Sequence, residues 1–520
     1  MILRSNGRTR QLVLGLGTLF ILAFGLIGLS HHGLWRSTNA NIIVHLEDAN
    51  DSAVSLGERT NKLHVLLPAS NREINLCKTL LTSFVLGYPT PTLIAWNQTF
   101  DKGYLLGGGS HVAKVSGVLE WLEAQDPSAD NDLVLMMDAY GSFNLYDDAR
   151  NIQAHLQADI WFQLRKETLV SRYYSINEHA NRRLSQRLGK AFDSEGIEQT
   201  IIFGAGKRCA PNQLHTVACY PIPESPLPED LYGANTDTVM GRNKYTSNRQ
   251  RYLNSGYIMG PVKDMRQMFR RAWEKVEAIK DQAEWDNGSH GSDFMYHGSD
   301  QSIFNTMLGE QEFQREVMHR RHLSYSRSKG KQKPTWIEGT LIDDQLNPSF
   351  THEPMEPKAG KPDEFGMGLD YWSELGQQTV NAEEDARYIV FNANIKDQVK
   401  DRNGLFDCPS RVSGTLPKDI RLTEAPMSNT NSEGDVSWAD VPLYTNLCLD
   451  RVPVMIHHNG DKAAREFAWP RMWIQPHARQ LMAGVLEQGS AIASTPDGGA
   501  MSWADLCPKE MERELFRDVE

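Results

Sequence analysis

Asp138 ends the apolar run Leu133-Val134-Leu135-Met136-Met137 and opens the tripeptide Asp138-Ala139-Tyr140. A carboxylate at the end of a buried strand is what a metal-dependent transferase requires, because Mn²⁺ or Mg²⁺ takes oxygen ligands and must meet a diphosphate there; the same Asp also serves as a plain cap of the next element. Gly107-Gly108-Gly109-Ser110 lies ahead of the preceding helical pattern. Three glycines either bring backbone N–H groups close to a phosphate or form a flexible loop. In Arg251–Gly260 (RYLNSGYIMG), Asn254 and Ser255, just before Gly256, either hydrogen-bond a sugar or close a turn. Asp300, in Gly298-Ser299-Asp300-Gln301, is either a helix cap or a carboxylate aimed at an acceptor hydroxyl. Finally, Val454-Met455-Ile456 leads into His457-His458-Asn459-Gly460-Asp461-Lys462. An imidazole there can ligate a metal while Lys462 meets phosphate charge, and the alternative is a polar surface turn.

The elements that must position these groups alternate along the chain. Leu63–Leu67 reads as a buried strand, Asn75–Val85 as a helix, Thr92–Trp96 as a strand, Val112–Ala124 as a helix with Val115, Val118, Leu119 and Leu122 on one face, and Leu133–Met137 as a strand. That β-α-β-α-β order predicts an α/β fold with a parallel sheet, whose ligands bind beyond the carboxyl ends of the strands. Asp138 stands at such an end. The stretches from about Ser326 to Lys361 and from Pro426 to Asp435 read as polar loops, and no internal repeat is visible.

With 54 Lys and Arg against 66 Asp and Glu, the 520-residue chain carries a formal charge of −12, which argues against nucleic-acid binding. Its 40% hydrophobic content, with 12 Trp, 16 Tyr and 18 Phe, suffices for a large core. Leu12–Leu29 holds no charged residue and is long enough to span a bilayer. Arg4, Arg8 and Arg10 precede it while Glu47, Asp48 and Asp51 follow, which orients the bulk of the chain to the luminal side of the Golgi or ER membrane. The expected organisation is a cytosolic tail (1–11), an anchor (12–30), a luminal stem (31–61), a catalytic-type domain (62–480) and a C-terminal tail (481–520). Three sequons, at Asn50, Asn97 and Asn287, fit a secretory route. The six cysteines form no C-x-x-C pair, which disfavours zinc, and Cys209 and Cys219, ten residues apart, are expected to pair in an oxidising lumen.

Taken in order, GGG at Gly107, DAY at Asp138, FGAGKRCAPN from Phe203, CYP at Cys219, RYLNSGYIMG from Arg251, SDQSIF from Ser299 and IHHNGDK from Ile456 resemble the glycosyltransferase domain of the collagen lysyl hydroxylases and related fungal type II membrane proteins. The resemblance spans roughly residues 62–475. It implies a GT-A-like fold, with a mainly parallel sheet flanked by helices, a UDP-sugar donor and Mn²⁺ held by a D-x-x-D pair and a His. The roles carry over to Asp138 and His457 for the metal, and to Asp300 and Asn254 for catalysis. Gly107, Gly108, Gly109, Tyr140, Ser255, Gly256, Asn459, Gly460 and Lys462 would hold the donor.

Two departures stand out. The position three after Asp138 is Gly141, but Asp159-Ile160-Trp161-Phe162-Gln163-Leu164 reads as the direct continuation of Tyr140, so Gly141–Ala158 reads as an insertion and Asp159 as the second Asp. Such an insertion is expected to loop away from the sheet, with Asp147 and Asp148 inside it as substitutes. The oxygenase half of the lysyl hydroxylases is missing, so lysine hydroxylation is not expected. The expected activity is transfer of a sugar to a protein or glycan acceptor; the competing reading is a non-catalytic Golgi protein with a damaged metal site.

Overall fold

Apolar runs of five or six residues bounded by turns bury both faces only inside a sheet covered on both sides. The computed structural model describes residues 61–99, 108–143, 154–212, 214, 216–233, 245–285, 299–323, 355, 357–401, 404, 406–428 and 436–517. Its strands are β1 (Leu63–Pro68), β2 (Thr92–Ile94), β3 (Leu133–Met137), β4 (Ala139–Phe143), β5 (Ala154–Ala158), β6 (Ile160–Phe162), β7 (Ile201–Gly206) and β8 (Tyr252–Pro261). They continue with β9 (Met367–Asp370), β10 (Gly376–Gln378), β11 (Ala386–Ile389), β12 (Leu443–Asn446), β13 (Met455–His457), β14 (Ala491–Ser494) and β15 (Ala500–Ser502). The longer helices are α1 (Ile74–Val85), α2 (Gly108–Glu123), α3 (Lys166–Leu188), α4 (Val262–Trp285), α5 (Asp300–His322) and α6 (Ala478–Gln488).

Eight strands form the main sheet in the order β15-β14-β2-β1-β3-β8-β7-β9. β2, β1 and β3 run parallel, with Leu66 opposite Thr92 and Leu63 opposite Leu133, as the alternation of strands and helices predicts. β8 then lies antiparallel to both β3 and β7, which makes the sheet mixed. Successive side chains of a strand point to opposite faces. Leu133, Leu135 and Met137 accordingly join the core under α1, while Val134 and Met136 join the core under α2, α4 and α5. A smaller sheet, β10-β13-β6, and the pair β11-β12 complete the framework. In that ladder β11 and β12 pair antiparallel, from Ala386 opposite Asn446 to Ile389 opposite Leu443.

The expected C-terminal tail is instead part of the fold. α6 follows Ile474, β14 extends the main sheet alongside β2 through Ser494 and Thr92, and Trp503, Leu506, Leu515 and Phe516 are buried. Ala478, Met482 and Val485 follow helical spacing along α6, a signal the sequence reading passed over, whereas the short β14 and β15 owe their place to neighbours distant in sequence. Cys77 on α1 is bridged to Cys507, and Cys209–Cys219 and Cys408–Cys448 form the other disulfides. The Cys209–Cys219 pairing is the one expected from spacing. Three disulfides suit an oxidising compartment. No helix of the described residues is long and apolar enough to cross a membrane; the expected anchor and stem, residues 12–60, lie outside them, as does most of the 326–361 loop.

Candidate functional site

At the carboxyl ends of the parallel strands, β3 stops and Asp138 begins. Its N–H donates to the Gly256 carbonyl across β8 at 2.6 Å, which extends the β3–β8 ladder by one residue. The chain then turns out as a hairpin: β4 pairs antiparallel with β5, from Ala139 opposite Ala158 to Phe143 opposite Ala154. The expected loop is therefore an ordered ladder at its base, and β5 lies beside α1, α2 and β1 rather than away from the body. Residues 144–153, with Asp147 and Asp148, are outside the described set. Because Ala139 and Ala158 face each other, the hairpin returns the chain to where it left, and Asp138 and Asp159 flank its closing pair.

Asp159 leads into β6, which pairs antiparallel with β13 so that Ile160 faces His457, and the His458 N–H donates to the Asp159 carbonyl at 2.8 Å. His457 Nε2 lies 3.5 Å from Asp159 Oδ1 and 3.9 Å from Asp138 Oδ2. Three elements far apart in sequence thus bring Asp138, Asp159 and His457 together. The imidazole rests on the backbone of Gly256, where an added Cβ would come 2.0 Å from His457 Cε1, so only glycine lets the ring take this place.

A second group adjoins the first. Lys114 of α2, 1% exposed, donates from Nζ to Asp138 Oδ1 at 2.8 Å and to Asp300 Oδ2 at 2.6 Å. His111 Nδ1 is 2.7 Å from Asp300 Oδ1, and the Ser255 hydroxyl donates to Asp300 Oδ2 at 2.9 Å. The cap of α5 is Ser299, whose hydroxyl accepts from the Ser302 N–H at 3.1 Å. Asp300 therefore does not cap its helix; its carboxylate is bound by Lys114, His111 and Ser255. Lys114 and His111 were missed in sequence. Their signal was position, since Lys114 stands four residues before Val118 and so on the apolar face of its helix, where an unpaired lysine is not tolerated.

The shared lysine splits its two carboxylates. Burial pushes Asp138 up, reinforced by Asp300 and Asp159 and opposed by Lys114 and His457. Burial would raise Asp300 as well, but Lys114 and His111 outweigh it and hold that carboxyl well below the usual range. Lys114 itself, which burial would lower, is held above its ordinary value by Asp138 and Asp300. In the same way, burial depresses His457, yet the Asp159 and Asp138 carboxylates override it and raise the imidazole above its ordinary pKa.

Other expected residues are placed differently. Asn254 Oδ1 accepts from the Gly256 N–H (3.0 Å) and its amide donates to Gln301 Oε1 (2.9 Å), so both ends of this side chain are engaged within the protein. Asn459 Oδ1 accepts from the N–H groups of Thr379 (3.2 Å) and Val380 (3.0 Å), and the Gly460 N–H donates to the Thr379 hydroxyl at 2.9 Å, which fixes the turn after His457 against the end of β10. Gly108 and Gly109 form the first turn of α2 instead of a loop ahead of it. A helix start leaves its first N–H groups without intrahelical partners, so this end of α2 still offers backbone donors. Gly107 lies outside the described residues. Lys462 opens the short helix Lys462–Ala468, and Tyr140 lies on β4 opposite Gln157.

Among the described residues, no three or more His, Cys, Asp and Glu side chains are closed up as a metal shell. One Asp138 oxygen is held by Lys114 instead. Even so, the donors suit a hard cation. Asp159 Oδ1 and both ring nitrogens of His457 are buried without a hydrogen-bond partner, in residues only 2% and 1% exposed. Orphaned buried polar atoms are costly and call for a partner. Three carboxylates (Asp138, Asp159 and Asp300) gather there around the Lys114 ammonium and the imidazoles of His457 and His111. No protein-family model matches this sequence, and no curated protein matches it significantly.

Proposed function

We propose that this chain is a glycosyltransferase of the GT-A type, anchored in the Golgi or ER membrane through residues 12–30. It would take a UDP-sugar as donor, depend on Mn²⁺ (or Mg²⁺), and act in the lumen on a protein or glycan acceptor. One observation carries the reading: Asp138, Asp159 and His457, the residues singled out by the family resemblance, meet at the carboxyl ends of parallel strands, with Asp159 Oδ1 and the His457 ring nitrogens buried and without hydrogen-bond partners.

Asp138, Asp159 and His457 would hold the cation, which would supply positive charge to stabilise a leaving UDP. Gly256 supports the ring of His457 from below. Lys114 orients the Asp138 carboxylate and keeps Asp300 ionised. Asp300 would anchor Lys114, His111 and Ser255 instead of acting as the base for an acceptor hydroxyl, because both its oxygens are engaged and its carboxyl is held well below the usual range. The experiment is a screen of UDP-sugars for hydrolysis with and without Mn²⁺.

One observation favours the competing, non-catalytic reading: the Lys114 ammonium already neutralises the Asp138 carboxylate where a cation would sit. The same screen separates the two, since a non-catalytic protein releases no UDP.

Two predictions arise here. Gly256→Ala is expected to push His457 out of place and weaken Mn²⁺ binding about 10- to 100-fold, with far-UV circular dichroism unchanged; isothermal titration checks it. Luminal orientation predicts a glycan on Asn97, which is exposed in the turn after β2 with φ +59°. Glycosidase treatment should shift the mobility of the wild-type chain expressed in a eukaryotic host. The Asn97→Gln chain should show a correspondingly smaller shift.

A further inference from the structure

On the flank of the main sheet, where β9 is the edge strand, α3 and α5 enclose a cavity of about 230 Å³. None of the residues of the Asp138–His457 site lines it. Ala180, Arg183, Leu184 and Arg187 project into it from a single face of α3, following helical spacing. Leu308 and Glu312 of α5, Leu369 of β9 and Ile222 supply most of the opposite wall.

Its lining carries three arginines, Arg183, Arg187 and Arg315, and two glutamates, Glu312 and the exposed Glu224. Glu312 accepts from Arg187 at 2.5 Å and from Arg315 at 2.8 Å, and Glu364 accepts twice more from Arg315, at 2.7 and 2.8 Å. Arg183 differs. Its guanidinium lies over the Trp372 ring, 5.0 Å from the centroid, and has no carboxylate partner among the described residues. Burial lowers its pKa and outweighs the opposing Tyr371 and Glu374, so the charge is partly stripped of water. A planar cation held flat on an aromatic ring keeps its N–H edge free for a bidentate acceptor. Tyr371 also lines the cavity, adding a phenol beside the apolar Leu184, Leu308 and Leu369.

We propose that this cavity is a binding site for a small molecule with an anionic head, a carboxylate or phosphate, received by Arg183, and an apolar body lodged between Leu184, Leu308 and Leu369. An apolar cavity of roughly 150 Å³ takes a benzene ring, so the space here accommodates a phenyl group with a short acidic arm. The site does not depend on the glycosyltransferase reading.

The test uses 3-phenylpropionate, phenyl phosphate and the uncharged 3-phenylpropan-1-ol, each titrated into the full-length protein by calorimetry. One-site binding of at least one of the two acids is expected, and whether carboxylate or phosphate binds more tightly identifies the preferred head. The alcohol should bind on the order of ten- to a hundredfold more weakly, and Arg183→Gln should weaken the acid by a similar factor. Arg183→Lys should recover part of the loss, because it restores charge without the fork. Arg183 is only partly buried on a helix that tolerates Gln, so the variant folds, and an unchanged melting temperature verifies this. No binding of either acid, equal affinity for acid and alcohol, an Arg183→Gln protein that binds as the wild type does, or displacement of the acid by UDP would each overturn the proposal.

Discussion

Replacing His457 by Ala, or Asp159 by Asn, is expected to remove Mn²⁺ binding and to lower Mn²⁺-dependent hydrolysis of a UDP-sugar by a factor on the order of 10²–10³, since several kcal/mol of charge stabilisation at the leaving diphosphate is lost. Stability should respond much less for Asp159→Asn. Asp159 Oδ1 is buried with no hydrogen bond and faces the His457 imidazole at 3.5 Å. The neutral amide relieves the mutual repulsion with Asp138 but also gives up the attraction to His457, and the two offset each other. In the absence of metal, Asp159→Asn should therefore melt close to the wild-type temperature. Calorimetric melting alongside the activity assay distinguishes the roles: a residue that merely holds the fold together would lose stability and activity in parallel.

Deleting residues 141–158 is expected to leave the protein folded and to raise Mn²⁺-dependent donor hydrolysis. The geometry of the hairpin is the reason. Ala139 and Ala158 are its closing pair, and facing residues of an antiparallel ladder have Cα atoms about 4.5–5.5 Å apart. The shortened chain would read Asp138-Ala139-Tyr140-Asp159, and the ends of a four-residue turn lie within about 7 Å of each other. Asp138 and Asp159 need hardly move. Some loss of melting temperature is expected, because β5 lies beside α1, α2 and β1. If the shortened protein fails to fold, or binds Mn²⁺ more weakly than the full chain, the hairpin is an integral part of the site and not an insertion into it.

Much of this architecture is legible in the residues. The run Leu133–Met137 announces a buried strand because a strand covered on both faces has no polar side, and its end fixes where Asp138 must stand. The meeting of Asp138 with Asp159 is reached in sequence only by joining Tyr140 to Asp159, and the β4–β5 hairpin shows the physical reason, since it returns the chain to its starting point. What is not legible has physical causes. Lys114 lies in an apolar helical pattern and is informative only once its two carboxylates, 24 and 186 residues away, are brought to it. Asn254 and Asn459 belong to the residue type expected to touch a ligand, yet their amides are engaged by backbone and side chains of this chain, a competition that composition does not reveal. The C-terminal strands carry too few apolar residues to show a period, and their place is set by Cys77 and β2, more than 400 positions away for both the Cys77–Cys507 bridge and the Thr92–Ser494 hydrogen bond.

The most direct measurement of the central claim is release of UDP from a panel of UDP-sugars by the full-length protein, with Mn²⁺ and with chelator. At least one donor should be hydrolysed with Mn²⁺ and none with chelator, and His457→Ala should abolish the metal-dependent part. If no UDP is released from any donor while Mn²⁺ also fails to bind the wild-type chain, Asp138, Asp159 and His457 do not form a metal centre and the glycosyltransferase reading is wrong.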